Sequence, residues 1–326
     1  SLKRHGVTAC EYWGVRPNPL LSEVNEAAAM ARKENVQAVL AVGGGSVIDA
    51  AKAAAAACYC DNVWQYYETP KPVTEALPLY VILTISATGS EMNPGSVITN
   101  DEQKKKWASH GPALFPRVSI IDPEIQMSLP WRQTVNGAVD AISHIMEYYF
   151  IGSGQETTIA IDEALIGSII RVTDILQQNE KDYAARAGLA WAATLALNGI
   201  SGIGLKGGDW ATHMLEHSIS ALYPHIAHGE GLAVMFPAWI KYTAGANPAQ
   251  YRRWAEKLWN TSDIGEGIEK LKTKYRQWGA PVSLTELGIT AGDIPALAEN
   301  AAMAGTLGKV KKLVREDFLA IYRLAL

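Results

Sequence analysis

Apolar positions in the first third of the chain come in short unbroken runs, separated by helix-length stretches of mixed character. Residues 25–36 (NEAAAMARKENV) read as a helix. They lead into 37–46 (QAVLAVGGGS), an apolar run that ends in glycines and reads as a buried parallel strand. Residues 47–57 (VIDAAKAAAAA) read as a second helix, 77–86 (LPLYVILTIS) as a second buried strand and 118–123 (VSIIDP) as a third. Strands and helices alternating with glycine punctuation predict an α/β unit built on a parallel sheet. The pattern changes near residue 128. From there the apolar positions keep a helical period through 131–150, 156–177, 182–198, 208–222, 229–243, 248–259, 263–277 and 309–325. No strand is predicted in that half. The boundary falls in 122–130 (DPEIQMSLP), where Pro123 and Pro130 bracket a polar connection, giving units of 1–127 and 128–326.

Composition narrows the classes. Of 326 residues, 48% are hydrophobic and 19% charged, enough to bury a large core. The net charge of −4 provides no basic field for nucleic acid, and Lys104-Lys105-Lys106, the one tight basic run, reads as a solvated face. No apolar stretch is long and uncharged enough for a membrane span, and no signal peptide opens the chain. The three cysteines, Cys10, Cys58 and Cys60, predict a reducing compartment rather than a disulfide framework.

Residues able to do chemistry gather in three places. Gly43-Gly44-Gly45-Ser46 follows a strand and opens a helix. Glycines let the backbone approach a phosphate closely, and the first helical N–H groups attract the anion. The run is neither G-x-G-x-x-G nor a Walker A motif, so a plain tight turn is the alternative. A second loop, 84–97 (TISATGSEMNPGSV), also follows a strand and offers Thr84, Thr88, Gly89 and Ser90 as donors. Two such loops at strand ends predict a dinucleotide. Third, Asp140 and His144 lie four apart on one helical face, a spacing that suits a structural pair or half of a metal site. His213, His217, His225 and His228 crowd one short stretch, and with the Asp140/His144 pair they predict a divalent-metal site. Residues 213–217 (HMLEH) also fit the His-x-x-Glu-His pattern of a metalloprotease with Glu216 as base. That reading leaves the glycine loop and the Asp140/His144 pair unexplained.

These stretches, with NPLLSEV, LFPRVSIIDP, TVNGAVDAISHIMEYY, THMLEHSISALYPHIAHGEGLAVMFPAWIKY and GAPVSLTELGI, resemble the iron-containing (group III) alcohol dehydrogenases. The likeness is greatest to the butanol dehydrogenase and broad aldehyde reductase branch. It implies a Rossmann-like α/β N-terminal domain followed by an all-helical C-terminal domain, the dehydroquinate synthase-like arrangement. It implies a divalent metal, Fe2+ or Zn2+, on Asp140, His144, His213 and the histidine directly before a glycine, His228, with His225 as competitor for that last place. His217 is expected near the nicotinamide, as proton relay or orienting residue. Gly44, Gly45, Ser46 and Asp49 match the family's pyrophosphate and nicotinamide-side loop, and Thr84, Thr88 and Lys106 its other contacts with NAD or NADP. Lys106 therefore gains a reading beyond a solvated face.

The implied activity is reversible hydride transfer between a small primary alcohol and its aldehyde, in a cytoplasmic homodimer with no nucleic-acid or membrane partner. A polyol (glycerol-type) dehydrogenase of the same superfamily is the alternative enzyme. A metal-binding structural protein with an inactive cofactor cleft is the alternative from another class. Residues 1–15 (SLKRHGVTACEYWGV) read as the end of a first helix and a second strand. The family's opening strand, its glycine-rich turn and most of its first helix are thus expected to be absent, and with them the segment that separates NAD from NADP.

Overall fold

The structure, a computed structural model, describes residues 2–326. In the first unit, helix α1 (Leu21–Lys33) precedes strand β1 (Val39–Gly43), helix α2 (Gly45–Ala57), a single helical turn α3 (Gln65–Glu68) and strand β2 (Leu79–Leu83). A hairpin of β3 (Gly95–Asn100) and β4 (Lys105–His110) follows, then strand β5 (Val118–Ile121). β1, β2 and β5 form a parallel sheet in that order, with Val39 opposite Leu79 and Tyr80 opposite Val118. The hairpin is antiparallel and separate, pairing Gly95 with His110 and Asn100 with Lys105.

Side chains alternate across the sheet, so its two faces differ. Ala41, Val81 and Leu83 point inward, where they pack with Ile48 of α2. The opposite face carries two rows, Leu40–Tyr80–Val118 and Val42–Ile82–Ile120. Val42, Val118 and Ile120 there are each more than half exposed. Parallel sheets bury both faces as a rule, which makes this bare apolar face unusual. The strand expected within residues 1–15 is not formed. A 3-10 turn spans Leu2–His5, and Val7–Arg16 has no strand partner. A strand exists only through its ladder, and no neighbour among the described residues supplies one.

From residue 131 the chain is helical: α4 (Trp131–Tyr149), α5 (Glu156–Gln178), α6 (Tyr183–Ala196), α7 (Ala211–Leu222), α8 (His228–Thr243), α9 (Pro248–Trp259), α10 (Ile264–Trp278), α11 (Ile294–Ala302) and α12 (Arg315–Leu324). The largest core cluster lies entirely here, around fully buried Trp239, Trp254, Tyr251 and Phe150. α8 runs through Pro237. The helix expected over 309–325 is shorter than the pattern implied, because residues 307–313 form a turn closed by a Leu307–Leu313 bridge. α11 was not foreseen at all.

Three glycines set the closest approaches. A Cβ on Gly45 would lie 2.4 Å from Thr88 Cγ2, so the α2 turn and the second loop touch there. A Cβ on Gly137 would lie 2.2 Å from the carbonyl oxygen of Ser86, so α4 rests directly on the loop after β2. A Cβ on Gly229 would lie 2.5 Å from Asn136 O, which seats the start of α8 against α4. No helix among the described residues is long and apolar enough to cross a membrane.

Candidate active site

Three helices bring the histidines together. One face of α4 carries Asp140, His144 and Glu147, spaced i, i+4 and i+7. α7 carries His213, Glu216, His217 and Ser220. His228 is the first residue of α8, which the Glu230 carboxylate caps by accepting the Ala227 N–H at 3.2 Å. Asp140 Oδ1 is the common point. It lies 3.6 Å from His144 Nε2, 3.9 Å from His213 Nε2 and 3.6 Å from His228 Nε2. The third imidazole is that of His228. His225 is exposed and lines a surface cleft with Arg132 and Arg276.

Two carboxylates stand behind these imidazoles. Glu147, fully buried, has Oε1 at 2.7 Å from His213 Nδ1. The same carboxylate accepts the backbone N–H groups of His213 at 3.2 Å and Trp210 at 2.6 Å. It thereby caps α7 and holds Trp210 at φ 63°, a left-handed backbone that a bulky residue rarely adopts. Glu216 receives His228 Nδ1 on Oε2 and the Ser220 hydroxyl on Oε1, the latter at 2.5 Å. A proton on each Nδ1 leaves each Nε2 as a lone pair turned toward Asp140.

Burial and the neighbouring charges set the electrostatics of the cluster. Burial opposes charge on Asp140, but His144, His213 and His228 outweigh it and hold the carboxyl well below its usual range. Burial lowers His144 to about 4. His217 and His228 fall well below 6.5 through burial, with Lys106 adding to it. His213 is the exception: the Asp140 and Glu147 carboxylates overcome burial and raise it to about 9. Asp140 Oδ1 and His213 Nε2 are both buried without a hydrogen-bond partner. The raised His213 shows that the site favours a positive charge between Asp140 Oδ1 and His213 Nε2, 3.9 Å apart, and a bound cation would supply that charge in place of the imidazolium proton. One carboxylate and three imidazoles are a donor set that first-row divalent ions accept. The residues present therefore fit a metal. Glu216 has both oxygens engaged and no exposure, so it cannot serve as a protease base.

His217 lies beside the cluster, its ring centroid 5.5 Å from that of His228, with Nδ1 buried and unbonded. Lys106 is not on a solvated face. The hairpin buries it against α7, with Nζ 3.1 Å from Ser220 Oγ, 3.4 Å from Glu216 Oε2 and 3.3 Å from His228 Nδ1. The glycine turn is where the sequence placed it: Gly44 precedes the first residue of α2, and no side chain caps that end. Gly44, Ser46, Thr84 and Thr88 are partly exposed. The Thr84 N–H reaches Gly43 O at 3.0 Å, which brings the two loops together. Asp49 differs. Its carboxylate is buried and spent internally, accepting Ser90 Oγ at 2.6 Å and Val97 N at 2.9 Å. Ser90, read as a donor to a ligand, is consumed by that bond. Glu147 was missed from sequence, although its spacing from Asp140 and His144 on α4 was a signal.

Comparison with known proteins follows from this geometry. The family description "Iron-containing alcohol dehydrogenase" matches residues 1–123, and "Fe-containing alcohol dehydrogenase family, C-terminal" matches residues 134–326. The chain is 38% identical over 335 residues to the Bacillus subtilis protein named "Probable NADH-dependent butanol dehydrogenase 1", covering 100% of this chain and 86% of that one. It is 34% identical over 305 residues to the NADPH-dependent aldehyde reductase YqhD of Escherichia coli, covering 90% and 78%. The crystal structure of NADH-dependent butanol dehydrogenase A from Thermotoga maritima superposes with a TM-score of 0.96 at 48% identity, covering 99% of this chain and 85% of that one. With both halves matched in order, and the Asp140 cluster drawn from the second, the chain belongs to the iron-containing alcohol dehydrogenase family.

Proposed function

We propose that this protein is a metal-dependent, NAD(P)-linked alcohol dehydrogenase and aldehyde reductase acting on a small primary alcohol and its aldehyde. The observation that carries the reading is the convergence of His144, His213 and His228 Nε2 on one buried, unpartnered carboxylate oxygen of Asp140. Those four residues would hold the ion, and the names of the relatives supply the reaction class. When bound, the ion is a Lewis acid for the alcohol or aldehyde oxygen, and the nicotinamide accepts or donates the hydride.

The chain's own residues set the conditions. Asp140 stays ionised, and Glu147 and Glu216 hold the Nδ1 protons of His213 and His228, so that Nε2 lone pairs point inward. His217 Nδ1 is bare and buried, and it takes or returns the proton of the alcohol. The amides of Gly45 and Ser46 open α2 toward a pyrophosphate. Thr84 and Thr88 flank it from the second loop, and Lys106 carries positive charge between the hairpin and His228. Gly137 ties that loop to α4, one turn ahead of Asp140, which couples cofactor side and metal side rigidly. The same reading divides the chain near residue 127, between the two family matches, and takes the protein as a cytoplasmic homodimer.

Initial rates with NADH and NADPH against a panel of short aldehydes test it, on protein stripped by chelator and protein reloaded with Fe2+ or Zn2+. Activity should vanish on stripping and return on reloading. Full activity in protein shown metal-free by elemental analysis would refute it.

A further inference from the structure

Lys52 has no solvent exposure. Burying an ammonium is costly unless every proton finds an acceptor. Here each of the three does: Nζ donates to Ser90 Oγ at 2.8 Å, Asn93 O at 2.8 Å and Gly95 O at 2.7 Å. All three acceptors lie on one short stretch of the second loop. Asp49, one turn earlier on α2, takes the Ser90 hydroxyl on Oδ1 and the Val97 N–H on Oδ2, and its backbone oxygen accepts Ser96 Oγ at 2.9 Å. Ser90 thus bridges the two charges. Asn93 continues the brace back to Thr88, donating from Nδ2 to Thr88 O at 3.2 Å.

The consequence is mechanical. Gly44 precedes α2, whose first turn carries Gly45 and Ser46, and the following turns grip residues 90–97. The side chain of Thr88 is seated where a Cβ on Gly45 would be. The separation between the glycine turn and Thr88 is therefore governed by a buried cation and its counter-charge, neither of which faces the cleft.

We propose that Lys52, with Asp49, is a positioning residue for the nucleotide: it sets how closely the 84–97 loop stands over the glycine turn, and so governs cofactor affinity without touching the cofactor. This rests on the cofactor reading above, and it replaces direct contact by Asp49 with a supporting role.

The test uses the full chain as Lys52→Met and as Ser90→Ala, metal-loaded, titrated with NADH and with NADPH by nucleotide fluorescence and followed by steady-state kinetics. Losing charged hydrogen bonds of this kind should raise the dissociation constant and KM for nucleotide about tenfold or more in Lys52→Met. The value of kcat at saturating nucleotide should stay within about threefold and bound metal should be unchanged, because the reacting groups are elsewhere. Ser90→Ala should show a smaller rise in the same direction, and it decides the matter if Lys52→Met fails to fold. Unchanged nucleotide affinity beside a lowered melting temperature would make Lys52 a core residue only and overturn the proposal. Wild-type protein that binds neither nucleotide would overturn the cofactor reading, and this proposal with it.

Discussion

Glu147→Gln should loosen the metal centre while leaving the fold in place. The carboxylate has three donors within reach: Trp210 N at 2.6 Å, His213 N at 3.2 Å and His213 Nδ1 at 2.7 Å. Glutamine has one acceptor oxygen, so it cannot serve both sides. With that oxygen toward His213, its NH2 group meets the Trp210 N–H donor to donor, and the strained φ of 63° loses its anchor. With the oxygen toward Trp210, the NH2 group faces His213 Nδ1, and the imidazole proton moves to Nε2, the atom directed at Asp140. Either way a ligand is misoriented. Losing such an orienting partner typically costs about 10–100-fold in metal affinity, or about 1.4–2.7 kcal/mol. Competition against a chelator of known strength measures it. The visible spectrum of the cobalt-substituted protein reports the ligand geometry independently of activity. Equal metal affinity and an unchanged cobalt spectrum would show that Glu147 only caps α7, and the argument from tautomer control would fail.

Further outcomes follow from the same geometry. His228→Ala should lose bound metal while His225→Ala keeps it, since only the former imidazole reaches Asp140; elemental analysis of the two variants decides. Gly229→Ala should cost about 1–3 kcal/mol in stability by overpacking, because its Cβ would stand 2.5 Å from Asn136 O on α4; an unaltered thermal midpoint would contradict this. Asp162 is buried, which raises its carboxyl from 3.8 to about 8. The fold then keeps a proton that the unfolded chain releases above about pH 4, so this group's stabilisation is full at low pH, declines between about pH 4 and 8, and is level beyond. Asp162→Asn should therefore gain in thermal midpoint relative to wild type across that interval, and parallel curves would argue against a protonated Asp162. Val42→Thr with Ile120→Thr should reduce hydrophobic-dye binding, since both stand on the bare sheet face; no change would place the dye elsewhere.

Much of the architecture was legible because local periodicity reports it. The runs that became β1, β2 and β5 are apolar but for Ser119, as parallel strands tend to be, and the long helices from α4 to α10 repeat their apolar face at every turn. The hairpin of β3 and β4 was not legible. GSVITN and KKWASH carry few apolar residues, and their strand character comes from pairing with one another rather than from composition. The converse holds within residues 1–15, where the expected strand has no partner. α11 is short, with Pro295 in its first turn, and its apolar pattern covers too few turns to register.

At the site, sequence alone settled which residues share a face: Asp140 with His144 on α4, His213 with His217 on α7, and His228 ahead of its glycine. It also pointed to two loops at strand ends as candidates for phosphate binding. It could not say which faces meet. That Asp140 stands near three imidazoles from three helices depends on Gly137 and Gly229 allowing α4 to touch the loop after β2 and the start of α8. Lys106 looked like part of a solvated basic run, and only the fold of the hairpin onto α7 buries it beside Glu216. Asp49 was expected at the cofactor loop by resemblance, and only the return of residues 90–97 across α2 makes it, with Lys52, a buried staple. The physical reason is the same in each case. Spacing along a helix or strand follows from backbone geometry and can be read from the chain, whereas the charge state and partners of a side chain follow from what is packed against it.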